Sequence, residues 1–517
     1  MSKKTYRKIS QGLFLLLFLF LFIQTESKGN DTLGYPVKLF LDFDPLIFIT
    51  TLFASHGRKI PSAFFLSLSL IVMTVLLGRI FCGWICPLGT LHNIIGSLKK
   101  SHSLKVHVSW HKAKYYILFL LVSSSIFTLQ ITGIMDPISL LIRSFSLSIF
   151  PLLNHGIRGF FDSIYNANIP AVVNLSEPAY DFLKRNLLSF RDLYYIQAIL
   201  IGLLFIVIIS LNLLERRFWC KYVCPLGAML GLLSGYSLLK REVSEGCTSC
   251  GICANRCQGG ALQEKNSVWK NTECLVCFDC DDLCPQNAVT FGIGRNAHPS
   301  IDLGRRQVLL SLASGMLAVP LVRSTPFSRS DFSNPGLLRP PGSLEEKDFL
   351  KRCVKCGECM KVCLTNGLQP TLLEAGLEGL WSPRLIPRIG YCEYRCTLCG
   401  QVCPTGAIQR LPLEEKMKTK IGLAMIDKGR CLPYAHSTPC IVCEEVCPTS
   451  PKAIWFEEFS VKDRGGEEII VKQPHIDLDR CIGCGICEAK CPVGNRPAIY
   501  VTNIGESRSK TNQLLLL

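Results

Sequence analysis

The residues with the clearest chemical pattern are the cysteines: 28 in a chain of 517, nearly all in evenly spaced groups. Cys247, Cys250, Cys253, Cys257 and Cys274, Cys277, Cys280, Cys284 read C-x2-C-x2-C-x3-C, as do Cys353, Cys356, Cys359, Cys363 and Cys481, Cys484, Cys487, Cys491. Two groups depart from it: Cys392, Cys396, Cys399, Cys403 open with three intervening residues, and Cys431, Cys440, Cys443, Cys447 with eight. Three closely spaced thiolates on a tight loop hold three corners of an iron–sulfur cubane, and a fourth on the following helix reaches a neighbouring cluster. Structural zinc uses two separated C-x2-C pairs, and C-x2-C neighbours are poorly placed for a disulfide. The quartets therefore point to six 4Fe-4S clusters. Cross-ligation in the first two puts Cys247, Cys250 and Cys253 with Cys284, and Cys274, Cys277 and Cys280 with Cys257. For the last four quartets, pairing is either adjacent in order or nested, and the two irregular quartets being neighbours favours nesting.

The other four cysteines lie in a repeat. Arg79-Ile-Phe-Cys82-Gly-Trp-Ile-Cys86-Pro-Leu-Gly89 recurs as Arg217-Phe-Trp-Cys220-Lys-Tyr-Val-Cys224-Pro-Leu-Gly227, and an Asp-Pro (Asp44-Pro45, Asp136-Pro137) precedes each copy. Cysteines four apart fall on one face of a helical turn, so two facing turns would offer four thiolates. Three roles stand open: a shared metal, cluster or other cofactor site at Cys82, Cys86, Cys220 and Cys224, a redox-active or docking dithiol, and a structural Pro-terminated helix end.

The elements that must position these thiols are apolar. A mean hydropathy of +0.29, gathered into long runs, excludes a simple cytosolic enzyme, a disordered tail and a small disulfide scaffold. Residues 9–23 follow Lys3, Lys4, Arg7 and Lys8 and read as a membrane anchor; 62–80, 115–135 and 193–214 each approach the ~20 residues that cross a bilayer. Their basic ends, Arg79, then Lys99, Lys100, Lys105, Lys112 and Lys114, then Arg216, Arg217 and Lys221, are expected to be cytoplasmic. The stretch 138–153, broken by Arg143 and ended by Pro151, is expected to be interfacial or re-entrant. The net charge of +16 then marks membrane orientation, and there is no aromatic-interleaved basic face for nucleic acid. His107 and His111 read as part of a solvated basic face. There is no C-x2-C-H, no histidine in the four main spans, no G-x-G-x-x-G opening a helix and no Walker A loop. Without a nucleotide cofactor or haem, electrons would enter and leave through a lipid-soluble carrier or other proteins.

Gly304-Arg305-Arg306-Gln-Val-Leu-Leu310, followed by apolar residues to Val322, looks like a twin-arginine leader inside the chain; an ordinary fifth anchor is the alternative. Cubanes are built in the cytosol, so a cluster domain bound for the outer face must be exported folded, with its metal in place. The expected fold class is an α-helical membrane domain of four to five transmembrane helices plus α+β two-cluster ferredoxin-like modules. The expected organisation is a membrane domain over 1–240 and a cytoplasmic two-cluster module over 241–298. A signal or anchor helix over 299–325, a linker over 326–345 and a periplasmic four-cluster domain over 346–505 follow.

These motifs carry a resemblance. The duplicated Cys-x3-Cys-Pro-Leu-Gly and the first two quartets, over residues 1 to about 295, resemble the NapH/MauN family of membrane ferredoxins. The leader and the last four quartets, from about 302 to 500, look like NapG/MauM-type periplasmic ferredoxins. The chain thus looks like the two fused. The resemblance implies an electron-transfer subunit of a quinol dehydrogenase-type complex in a bacterial inner membrane. It would draw on the quinol pool and pass electrons to a multihaem cytochrome or terminal reductase. The 24 quartet cysteines would be the cluster ligands, with a quinone as a further cofactor. An alternative of a different class is a maturation ferredoxin that reduces the metal or cofactor of a client enzyme.

Overall fold

Apolar runs interrupted by Gly, Pro and Asp make short helices, and this chain is built largely of them. The computed structural model describes residues 3–26, 31–57, 61–98, 108–262, 269–294, 303–324, 334–462 and 468–513. Lys99, Lys100, Lys105 and His107 lie outside the described residues, as do parts of the expected anchor and linker segments. The principal helices are α1 (Lys3–Ile23), α2 (Pro45–Ala54), α3 (Leu66–Leu77), α4 (Pro87–Leu98), α5 (Ala113–Ile126), α6 (Pro137–Asn166), α7 (Pro170–Asn186), α8 (Ala198–Ser210), α9 (Pro225–Ser234) and α10 (Arg305–Ser324).

Two of them, α1 and α6, are long and apolar enough to cross a membrane. The spans expected over 62–80, 115–135 and 193–214 are realised as the shorter α3, α5 and α8. Gly78 ends α3 with φ 78°, and Thr128 turns left-handed just past α5 with φ 69°. The break expected within 138–153 is absent: α6 is one 30-residue helix that runs through both Arg143 and Pro151. Arg143 is tolerated because its guanidinium donates to Gly133 O, Ile134 O and Lys355 O, each at 3.0 Å. Pro151 is tolerated because a π turn over Phe145–Ile149 precedes it, where the ladder is already widened.

Four helices start inside the bundle by one device. Asp44 accepts from the backbone N–H of Leu46 and Ile47 (2.9 and 3.2 Å), and Asp136 from those of Ile138 and Ser139 (3.1 and 2.7 Å). Cys86 Sγ accepts from Gly89 N–H (3.4 Å) and Cys224 Sγ from Gly227 N–H (3.2 Å). Each cap is followed by proline, whose missing N–H costs nothing at a first helical position. The Asp-Pro and Cys-Pro dipeptides are thus equivalent N-termini, and the two aspartates face each other, fully buried.

The cysteine-rich parts are small antiparallel sheets around tight loops. β1 (Leu239–Val243) pairs with β2 (Val289–Ile293) from Leu239↔Ile293 to Val243↔Val289, so the chain enters the first quartet beside the place where it leaves the second. A bridge between Ser343 and Ile408 encloses the third and fourth quartets likewise, with β3 (Leu368–Pro370) and β4 (Pro383–Leu385) paired between them. β5 (Leu423–Ile426) pairs with β8 (Ile499–Thr502) around the fifth and sixth, and the hairpin of β6 (Ile454–Lys462) and β7 (Glu468–Ile476) stands between those two.

Helix α1 relates these parts to the bundle. Near its start Arg7 donates to Cys277 O (2.8 Å); near its end Phe22 O accepts from Lys361. At 1.5 Å per residue those contacts lie about 22 Å apart. Helix α10 runs alongside α5 in the same direction, with Tyr116 OH bonded to Gln307, Ser123 Oγ to Leu312 O and Arg323 to Thr128 O. It therefore starts at the end of the bundle that carries the first two quartets and finishes at the end that carries the last four.

Candidate iron–sulfur and membrane thiol sites

In all four regular quartets the residues on either side of the second cysteine are left-handed. They are Ser249 and Gly251, Val276 and Phe278, Lys355 and Gly357, Gly483 and Gly485, with φ between 49° and 88°. Glycine takes this conformation freely, but in β-branched Val276 it is strained and must be held by its surroundings. Such alternation curls successive N–H groups inward, the concavity that suits anionic clusters. The irregular quartets lack it around Cys396 and Cys440, where the longer first spacer lets the loop close without a left-handed residue.

Five cavities are each lined by at least four thiols, with Cys253 reaching two of them. Cys247, Cys250, Cys253 and Cys284 share one, and Cys257 joins Cys274, Cys277 and Cys280 in the next, which is the crossing expected from the sequence. Cys363 sits with Cys392, Cys396 and Cys399, while Cys403 lies close to Cys353, Cys356 and Cys359. Cys491 joins Cys431, Cys440 and Cys443, and Cys447 joins Cys481, Cys484 and Cys487. The nested pairing is therefore overturned: the third quartet pairs with the fourth and the fifth with the sixth. The reason is the sheet pairing, since the strands that enclose each module close around adjacent quartets. Four of the cavities take in about 360–430 Å³ of space that is partly open to solvent. Among the described residues no three His, Cys, Asp or Glu side chains converge tightly enough to hold a single ion. Thiols gathered in fours around one cavity, under inward-turned amides in the regular quartets, fit a cluster.

Burial and neighbouring thiols push the Cys443 thiol up to about 12, and burial pushes the Cys280 thiol up to about 11. Such thiols stay protonated at neutral pH until a metal displaces the proton, so cluster binding here is coupled to proton release.

The membrane repeat brings Cys82, Cys86, Cys220 and Cys224 together, each close enough to feel the charge of the others. Cys86 and Cys224 are buried, and Cys82 and Cys220 half-buried. Arg79 and Arg217, read from the sequence as cytoplasmic basic flanks, are 1 % and 2 % exposed. Arg79 faces Cys82 and Cys224; Arg217 faces Cys86 and Cys220 and donates to Cys82 O (3.0 Å). The signal for these residues was present, since an arginine stands three residues before the first cysteine of both copies. His111 is corrected too: it is buried against the Tyr222 ring and Gly260, not solvated.

The first module docks directly on this repeat. Trp84 Nε1 donates to Val276 O (2.9 Å), and a Cβ on Gly83 would collide with Leu275 O. Glu273 accepts from Tyr115 OH (2.7 Å) and pairs with Lys114 and Arg79. At the other end Lys355 reaches Gln130 O, Tyr195 OH donates to Met360 O (3.1 Å), Thr397 N–H donates to Asp31 (2.7 Å), and Gly133 abuts Val354 O. Sequence reasoning missed these contacts, because single polar residues in apolar runs carry no periodic signal.

The class these sites define is reflected in sequence families of iron–sulfur proteins. A 4Fe-4S binding domain family matches residues 60–105, 195–244 and 398–423, so it covers both copies of the membrane repeat, and a 4Fe-4S dicluster domain family matches 438–495. Among curated proteins the chain is similar to the ferredoxin-type protein NapH of Haemophilus influenzae, 22% identical over 55% of this chain and 88% of that protein. The ferredoxin-type protein NapG of Escherichia coli is 35% identical over 19% of this chain and 42% of its own length. The putative electron transport protein YccM of Escherichia coli is 29% identical over 46% and 57%. The chain is related to ferredoxin-type electron-transport proteins, and a fusion of NapH-type and NapG-type halves is consistent with these matches. No solved structure matches it.

Proposed function

We propose that this is a membrane-bound electron-transfer protein that oxidises quinol and relays electrons, through six 4Fe-4S clusters held by the 24 quartet cysteines, to a periplasmic cytochrome or reductase. Such clusters supply one-electron carriers that change charge without changing ligands. The chain's own residues hold them in fours, shield them and dock them on the helix bundle.

The observation that carries this reading is the position of the cysteine-rich parts at opposite ends of α1, a helix about 30 Å long. The course of α10 between the same two ends supports a cytoplasmic first module and a periplasmic second one. Two experiments test it. Adding a reduced menaquinol analogue to the purified full chain should bring up the EPR signals of reduced clusters; a competent quinol that reduces none would remove the quinol-oxidising role. A phosphatase reporter fused near residue 330 should be active, and a cytosol-only fluorescent reporter there should be dark.

A further inference from the structure

The two copies of the membrane repeat cross over. Arg79 of the first reaches the second, where its Nη2 lies 2.9 Å from the place a Cβ on Gly227 would occupy, beside Cys224 Sγ. Arg217 of the second reaches back to Cys82 O. Neither copy alone is complete, because each arginine faces one thiol from its own copy and one from the other. Both guanidiniums are almost wholly buried, and Arg79 Nε and Nη2 and Arg217 Nε have no hydrogen-bond partner. Buried positive charge without a full counter-charge is expensive, so these two call for negative charge among the four thiols. The nearby Glu273 is shared between Lys114 and Arg79, so three buried cations, Lys114, Arg79 and Arg217, face one carboxylate and two positive charges are left over.

An iron–sulfur centre with four thiolate ligands carries two net negative charges when oxidised, which matches the two arginines. The thiols do not converge tightly enough for a single ion.

The site also lies between the modules. On one side the loop Cys82-Gly83-Trp84 presses on Leu275 and Val276, within the second quartet. On the other, α4 and α6, starting from Cys86 and Asp136, pack together, and Arg143 of α6 faces Cys356 of the third quartet. Without an intermediate the gap along α1 is about 22 Å. Tunnelling falls exponentially with distance, so a carrier part-way across replaces one slow step with two faster ones.

We infer that Cys82, Cys86, Cys220 and Cys224 together hold one iron–sulfur centre, with Arg79 and Arg217 as its counter-cations, and that this centre joins the two cysteine-rich modules across the bilayer. One electron arrives and one departs, and no bond to sulfur forms or breaks. This rests on the electron-transfer reading but not on quinol as the donor.

The test uses the full chain. Iron and acid-labile sulfide per chain should fall in a Cys86→Ser/Cys224→Ser variant by the content of one centre, with one EPR signal lost and the others kept; unchanged iron and sulfide would overturn the site. In sealed inside-out membrane vesicles, membrane-impermeant dithionite should reduce the clusters of both modules in the wild type. In the variant, reduction of the far module should be more than tenfold slower. Equal rates with the centre lost would overturn the bridging role. If the double variant does not fold, Arg217→Gln keeps every thiol and should lower the midpoint potential of that one signal by removing a positive charge. No shift would sink the assignment. Failure of quinol to reduce the protein would leave all three readouts standing, so the two proposals fail separately.

Discussion

Cys247 and Cys250 stand exposed on the first module, whereas Cys353, Cys356 and Cys359 of the second are each 8 % exposed. The two quartets have the same spacing and the same left-handed turns. What differs is their place: the first faces away from the helix bundle, and the third is pressed against it through Val354 and Lys355. In the first module it is the second quartet, around buried Cys274, that takes the bundle side. Each module therefore keeps a shielded thiol group against the helix bundle, and the first also keeps one exposed.

The largest test of this comparison is to remove one ion-paired carboxylate from each module. Glu273→Gln leaves Lys114 and Arg79 without their counter-charge and should cost about 3–5 kcal/mol. Glu346→Gln takes the counter-charge from Arg339 (2.6 Å), while Arg508 (2.8 Å) keeps Glu506, so the cost should be nearer ~3 kcal/mol. In thermal unfolding followed by cluster absorbance, the first substitution should loosen only the first module and the second only the other. Loss of both modules from either change would show that they are not docked independently. Burial pushes the Glu346 carboxyl up, but Arg339 and Arg508 together hold it down at about 2. Its contribution is fully present above the ordinary carboxylate value of 4.5 and fades as pH falls towards 2, so acid should loosen the second module internally over that window.

Glycine contacts come next. Gly83→Ala and Gly133→Ala each drive a methyl group into a carbonyl, of Leu275 and Val354 respectively, and should cost about 1–3 kcal/mol. Limited proteolysis should then free the first module in one case and the second in the other; unchanged protection would mean that the docking seen here is not tight. Trp84→Phe keeps an aromatic ring but deletes the hydrogen bond to Val276 O, a loss of about 1 kcal/mol readable as a small drop in the urea midpoint of the first module. The smallest effect is kinetic. An iron chelator should strip the cluster position of Cys247, Cys250, Cys253 and Cys284 several-fold faster than the rest, and a single uniform rate would erase the contrast in shielding.

Much of the site was legible because its chemistry is local. A C-x2-C-x2-C loop is a few residues of backbone, and the left-handed turns at Gly251, Gly357, Gly483 and Gly485 follow from residues beside the thiols they position. The crossing of the first two quartets was legible as well, because only one partner was near. The membrane elements were read less well. Arg143 and Pro151 argued for a broken segment because in isolation they break helices. Three carbonyl acceptors and a π turn removed that objection, and nothing in residues 138–153 announces them.

By itself, the amino-acid order determined how many thiol groups there are, which cysteines form each three-cysteine loop, and where the Asp-Pro and Cys-Pro helix starts fall. All of these depend on contacts within a few residues. Tertiary structure alone decided that adjacent quartets pair, because that follows from strands more than fifty residues apart closing on each other. It also decided that four thiols from two copies converge, and that Arg79 and Arg217 lie buried among them. A charge at the end of an apolar run reads as solvent-facing until another part of the chain covers it, and here the first module does so.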